Sequence, residues 1–284
     1  NKDGSVYHLH LKAENVANHV ILVGDPGRVK LVSDCFDQIE FQVSNREFVT
    51  HTGTFKGVRF TVISTGIGTD NIDIVVNELD AAVNMNTTTR LPNKELRQLN
   101  LIRIGTCGSV SPKIDIESIV VTQFSIGLDG IQHFYDIQSN SNETALEQRF
   151  NAFMKWKPNM NQPYASEADH MLLDLFAPVG ATGITIAANG FFGPQGRMIR
   201  IPLSNPDING KLAQFEHESL MILNYEMESS ALYSLGKALG HRCLCCCVVV
   251  ANRTKGNFSK NYQPAIQNLI QISLNICLSI IKSN

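Results

Sequence analysis

The sequence predicts an α/β fold with a mixed β-sheet, and three observations carry that prediction. Short apolar runs recur along the 284 residues. They alternate with stretches whose apolar residues return at helical spacing. The runs end in loops that carry glycine or arginine, and ligands in such folds sit at the carboxyl ends of strands.

Residues 1–19 are polar, with Tyr7-His-Leu-His10 near the start. Val20-Ile-Leu-Val23 is a short strand that runs into Gly24-Asp-Pro-Gly-Arg28, followed by a helical pattern at Val29, Val32 and Phe36. A Gly/Pro turn into a helix N-terminus gathers free backbone N–H groups at the positive end of the helix dipole. Arg28 stands there as an anion ligand or, on the plainer reading, as a solvated turn residue. Ser44-Asn-Arg-Glu-Phe48 is polar and precedes a hairpin at Val49-Thr-His-Thr, with Gly57 at the next turn. Phe60–Ser64 is another strand. It ends in Thr65-Gly-Ile-Gly-Thr-Asp70 and enters a helix with apolar Ile72, Val75, Val76, Leu79 and Val83. Gly66 and Gly68 match part of a dinucleotide fingerprint, but Asn71 holds the third glycine position. The loop therefore reads as a tight turn with an anion-friendly rim.

After a polar connection over 86–98 comes Leu101-Ile-Arg-Ile-Gly-Thr-Cys-Gly-Ser-Val110, a buried strand that opens at its glycines. A guanidinium at Arg103, between Ile102 and Ile104, is costly unless something negative meets it. The stretch leaves two partners open, an internal carboxylate or a bound anion. Ile116–Phe124 is a further strand that closes with Gly127-Leu-Asp-Gly130. Residues 136–165 read as a polar surface excursion with a helix near 143–155, and 169–176 as a helix. Gly180–Ala188 is a strand leading into Asn189-Gly-Phe-Phe-Gly-Pro-Gln-Gly-Arg197. Asn224–Leu232 passes from strand to helix and carries Glu226, Met227 and Glu228. A strand over 243–250 ends in Ala251-Asn-Arg253, and Ile266–Ile281 is an amphipathic helix. No internal repeat or linker divides the chain.

Composition narrows the function. A net charge of −2 makes no electrostatic case for nucleic acid or an anionic membrane, so anion affinity must come from locally placed arginines. No signal peptide or 18-residue apolar span is present, so no membrane partner is expected. Four of the seven cysteines crowd into Cys243, Cys245, Cys246 and Cys247. Neighbours on a strand alternate faces and do not converge on one metal, so these are core residues and no metal is expected. Seven free thiols suit a reducing, cytoplasmic setting.

Gly24-Asp-Pro-Gly-Arg28, Ser64-Thr-Gly-Ile-Gly68, Arg103-Ile-Gly-Thr106 and Tyr225-Glu-Met-Glu-Ser229, in this order and spacing, resemble the nucleoside phosphorylase-I family, most nearly its uridine phosphorylases. The resemblance implies a single α/β domain over 1–284, with a twisted, distorted barrel-like mixed sheet flanked by helices. It implies attack of inorganic phosphate on C1′ of a nucleoside, giving ribose 1-phosphate and free base. Phosphate is the co-substrate and no cofactor is required. Some relatives hold a monovalent cation near Glu47, but Asn71 departs from their ligand pattern.

The same resemblance assigns phosphate to Gly24, Arg28, Arg103 and Thr106, with Arg46 supplied by a neighbouring subunit of a homo-oligomer. Ribose falls to Glu228 and Met227, with His8 reaching across the dimer interface; Glu226 is read as an ordinary helix-start acid. Gln195 and Arg197 match the pair that reads uracil, and Phe191 is placed to stack on it. A glutamine amide offers donor and acceptor to the N3–H and O2 edge, while Arg197 meets charge gathering on the departing base. Arg103, Gln195 and Arg197 are thus the expected catalytic groups. Purine phosphorylases of the family place an aspartate after the last core strand, where this chain has Asn252-Arg253. The alternatives are a purine phosphorylase or nucleosidase of the same family, and a non-catalytic nucleoside-binding protein.

Overall fold

The computed structural model describes residues 1–282. The strands are β1 (His19–Val23), β2 (Gln38–Asn45), β3 (Phe48–Phe55), β4 (Val58–Ser64), β5 (Asn100–Ser109), β6 (Ile119–Gly127), β7 (Tyr164–Glu167), β8 (Ala181–Ala187), β9 (Glu216–His217), β10 (Leu220–Glu226), β11 (Arg242–Asn252) and β12 (Asn257–Phe258). The α-helices are α1 (Pro26–Ser33), α2 (Thr69–Asn84), α3 (Ser141–Met154), α4 (His170–Phe176), α5 (Ile208–Leu212), α6 (Ser229–Ala238) and α7 (Gln263–Lys282).

The strands join one mixed sheet in the order β12-β11-β6-β8-β10-β5-β1-β4-β3-β2. A further pairing of β11 with β5 closes β5, β10, β8, β6 and β11 into a barrel. Apolar, β-branched sequences make the inner strands: β1 is buried along its whole length, and β5 lies parallel between β1 and β11. The parallel register sets Leu22 beside Arg103 and Val23 beside Ile104, so β1 ends next to the middle of β5, just before Gly105, and β5 runs on to Ser109. β10 runs antiparallel to β5, with Tyr225 opposite Gly108. The residues that follow β10 therefore come back alongside the second half of β5.

Two apolar clusters support this frame. The larger joins β1, β4, β5 and β11 to α2, α6 and α7. The smaller lies among α3, β8, β10 and residues 208–215. That second cluster corrects the expectation of a surface excursion over 136–165. Leu146, Phe150 and Met154, one helical turn apart on α3, are buried, and Phe150 meets Phe215 at 5.5 Å. The stripe is diluted by polar neighbours, which hid it. A reciprocal cap starts the helix, with Asn140 Oδ1 accepting from the Glu143 N–H at 2.9 Å and Glu143 Oε2 from the Asn140 N–H at 2.8 Å.

The crowded cysteines are buried core residues of β11, and Cys245 Sγ and Cys247 Sγ lie 3.8 Å apart on one face. Among the described residues no helix is long and apolar enough to cross a membrane.

Candidate active site

The loops that follow β1, β4 and β8, with the second half of β5 and the end of β10, enclose a cavity of about 850 Å³. Gly24, Arg28, Arg103, Thr106, Phe191, Gln195, Arg197, Met227 and Glu228 all line it. His8 and Arg46 do not. His8 Nδ1 meets Glu78 Oε1 at 2.6 Å on α2, and Arg46 holds φ +55° at the tip of the β2–β3 hairpin. The Asn45 amide donates to the His8 carbonyl at 2.8 Å, so both lie on one rim of the chain.

At one end stand two guanidinium groups. Asp25 caps α1 by accepting from the Gly27 N–H at 2.9 Å, which sets Arg28 in the first turn facing the exit of β5. The Arg28 Nη1 to Ile104 carbonyl contact is long, 3.4 Å. Burial and the neighbouring Arg103 hold the Arg28 pKa below its ordinary value. Arg103 projects from β5 and is 4% exposed. It donates through Nη2 to Glu228, and its Nε lies 3.9 Å from Glu226 Oε2. Burial alone would lower its pKa, but the charge of Glu228 outweighs that and raises it. Its Nε and Nη1 are buried without a hydrogen-bond partner. Two adjoining cations, one with two unfilled donors, form a site suited to an anion.

In the middle lie Glu226, the last residue of β10, and Glu228, the N-cap of α6. Glu226 holds the start of α6: its carboxylate accepts from the Glu228 N–H at 2.9 Å, the Ser229 N–H at 3.0 Å and the Ser229 hydroxyl at 2.6 Å. Burial and the Glu228 charge push its carboxyl up to about 8. This is the helix-start role that the sequence suggests. Glu228 accepts from the Gly68 N–H at 2.9 Å as well as from Arg103. The 65–68 loop reaches that position through Gly66 at φ +71°, where a Cβ would come within 2.4 Å of Asn71 Nδ2.

At the far end Gln195 is buried, and its Oε1 accepts from Arg197 Nη1 at 2.7 Å and from Arg253 Nη2. Arg253 also donates to the Gln195 backbone carbonyl at 2.5 Å and lies 4.4 Å over the Tyr225 ring. Arg197 lies 3.9 Å over Phe191 and donates to its carbonyl at 2.7 Å. Two guanidinium donors fix which amide atom is oxygen. The expected donor-and-acceptor edge of Gln195 is thereby altered: the oxygen is engaged, and the amide nitrogen is left for a ligand. Arg253 and Tyr225 were missed by sequence reasoning. The signal was present, since Arg253 directly follows the end of β11, and Arg28 and Arg197 also lie in segments beyond strand ends. Asn252, at the purine aspartate's place, is spent on structure: its amide donates to the carbonyls of Ser111 at 2.8 Å and Ile114 at 2.6 Å.

Residues 18–281 match the phosphorylase superfamily. The chain belongs to that superfamily. Its relatives include the uridine phosphorylase of Thermococcus kodakarensis, 29% identical over 91% of this chain and 82% of the relative. The uridine phosphorylase of Haemophilus influenzae is also 29% identical, over 88% of this chain and 87% of its own. A DeoD-type purine nucleoside phosphorylase of Shewanella loihica is 24% identical over 93% and 94%. Among solved structures, a Trypanosoma brucei nucleoside phosphorylase described as showing uridine phosphorylase activity superposes with a TM-score of 0.89, at 27% identity and 98% coverage of both chains. As a member of this superfamily, the chain places its cavity where the sheet's strand exits converge.

Proposed function

We propose that this phosphorylase cleaves uridine with inorganic phosphate, giving uracil and ribose 1-phosphate. One observation carries the reading. The anion end of the cavity, Arg28 with Arg103, faces across the glutamates a base end made of donors, Gln195 Nε2 with Arg197, while Arg253 holds Gln195 from outside the lining. Uracil presents two carbonyl acceptors and leaves as a delocalised anion. A donor-rich, carboxylate-free base end suits that charge. A purine departs well only when protonated, and nothing acidic stands at Asn252 to protonate it. The relatives whose names state an activity on uridine support the same choice.

Phosphate bound by Arg28, Arg103, Gly24 and Thr106 approaches one face of the sugar. Glu228 accepts from the ribose hydroxyls and Met227 packs on the ring. Charge runs from the glycosidic bond onto the base, where Arg197 meets it beside a Gln195 that Arg253 holds in place, and the phosphate captures the electron-poor C1′. The enzyme's part is placement and field, with no protein nucleophile. His8 and Arg46, held together on one rim, complete the ribose and phosphate sites of a second copy in a homo-oligomer.

Ultraviolet assay of uridine, thymidine and inosine, each with and without phosphate, tests this reading. Phosphate-dependent release of uracil from uridine is the expected result. Turnover of inosine but not uridine, or cleavage of uridine at an equal rate without phosphate, would overturn it.

A further inference from the structure

Beside the catalytic cavity lies a second one, of about 1210 Å³. It is bounded by the end of α3, the segment that follows the base loop, and α5, and Arg197 lines both cavities. Its charge is one-sided. Lys155, Lys157, Arg197, Arg200 and Lys211 line it, and no aspartate or glutamate does. The whole chain balances 24 Lys and Arg against 26 Asp and Glu, so composition does not account for such a lining.

Arg197 is held by Phe191 and Gln195. Among the described residues the other four form no ion pair. Lys157 reaches only the Ser204 carbonyl, at 3.4 Å. Between these cations the wall is apolar and aromatic. Trp156 is fixed there, its indole N–H donating to the Asn161 carbonyl at 2.9 Å and its ring 6.0 Å from Phe150, and Phe192 also lines the cavity.

We propose that this second cavity binds a nucleoside polyphosphate, with the base against Trp156 and Phe192 and the phosphates among Lys155, Lys157, Arg200 and Lys211. A monocarboxylate would satisfy one cation and leave three repelling one another. A polyphosphate meets them together, and an aromatic wall adds stacking for a base. Because Arg197 belongs to both cavities, an occupant that draws on it loosens Gln195, so the nucleotide weakens uridine binding. That second step rests on the function proposed above; occupancy of the cavity does not.

Trp156 is the only tryptophan in the chain, so its fluorescence reports this cavity directly. UTP titrated into the intact protein should quench it saturably. Lys157→Glu with Arg200→Glu should weaken the binding by about tenfold or more, while Arg103→Met, at the catalytic anion site, leaves it unchanged. Uridine and inorganic tripolyphosphate at matched concentrations should quench far less. UTP should raise KM for uridine with kcat unchanged, and the double charge reversal should remove that effect while keeping basal turnover.

Three results overturn the proposal: no quenching by UTP, quenching that survives the charge reversal, or equal quenching by uridine. A fourth concerns Ile199 and Ile201, 78% and 81% exposed beside the cavity. If Ile199→Glu with Ile201→Glu lowers the sedimentation coefficient, a second copy of the chain covers this face and the proposal falls.

Discussion

Arg253→Met keeps the length and the stem of the side chain while removing every donor. In the folded chain Arg253 reaches the Gln195 carbonyl at 2.5 Å and Gln195 Oε1, and it stacks 4.4 Å over Tyr225. A hydrogen bond from a charged donor contributes about 1.5–3 kcal/mol, so the two together hold the base loop by roughly 3–6 kcal/mol. Methionine still packs on the Tyr225 ring, which offsets part of that. A net loss of roughly 3–4 kcal/mol, at 1.36 kcal/mol per factor of ten, gives a fall of about 10²–10³ in kcat/KM for uridine. Arg28 and Arg103 share no hydrogen-bond partner with Arg253, so if they bind phosphate as proposed, KM for phosphate should stay within about threefold. Uracil release is followed by absorbance, first with uridine varied at saturating phosphate and then the reverse. A urea denaturation midpoint checks that the variant is folded. The reasoning is refuted if Arg253→Met turns over uridine within about threefold of the parent, or if KM for phosphate rises as much as KM for uridine.

Arg103→Met should lower phosphorolysis by about 10³ or more, and leave Glu226 and Glu228 facing each other without a cation, at about 3–5 kcal/mol of stability. Adding Glu228→Gln should recover stability in urea but not activity. Gly105→Ala sets a Cβ 2.5 Å from Arg103 Nη1 and 2.9 Å from Cys247 Sγ, so KM for phosphate should rise before KM for uridine does. Burial holds the His19 pKa in the folded state below its ordinary value. The unfolded chain then binds more protons below about pH 6.5, so stability is present above that pH and is lost as the pH falls through it. His19→Asn should flatten the drop in urea midpoint between about pH 7.5 and 5.5 that the parent shows. Asn252→Asp should not confer inosine phosphorolysis. It removes both donors to the Ser111 and Ile114 carbonyls and buries a carboxylate beside them, so a loss of roughly 2–4 kcal/mol should appear in urea instead.

What the sequence disclosed, and what it concealed, divides along a physical line. The glycine loops are legible because glycine marks where backbone and neighbours crowd: a Cβ would come within 2.4 Å of Asn71 Nδ2 at Gly66 and within 2.5 Å of Arg103 Nη1 at Gly105. Helix α3 was half legible. Its polar face dominated the reading, while the three buried residues spaced one turn apart carried the packing. Arg253 was hidden for another reason. Its placement depends on the closure of β11 against β5, which sets Gly108 where an added Cβ would lie 3.4 Å from the Arg253 Nε, and which lets Arg253 reach a loop 58 residues away. No local pattern encodes that closure.

Arg103 shows the same limit at a finer scale. Its sequence neighbourhood left an internal carboxylate and a bound anion as rival partners. The fold makes them successive. Glu228, the acceptor a ribose would need, is the carboxylate that Arg103 holds, and two further Arg103 donors remain unfilled. Sugar and phosphate binding therefore compete with the same internal pair from its two sides. Glu228 offered to hydroxyls weakens its hold on Arg103 just as Arg103 gains an anion. Each ligand should then favour the other, and uridine should bind more tightly when phosphate is present than when it is absent. Calorimetry with a non-cleavable uridine analogue measures that coupling, and its disappearance in Glu228→Gln would assign it to this pair.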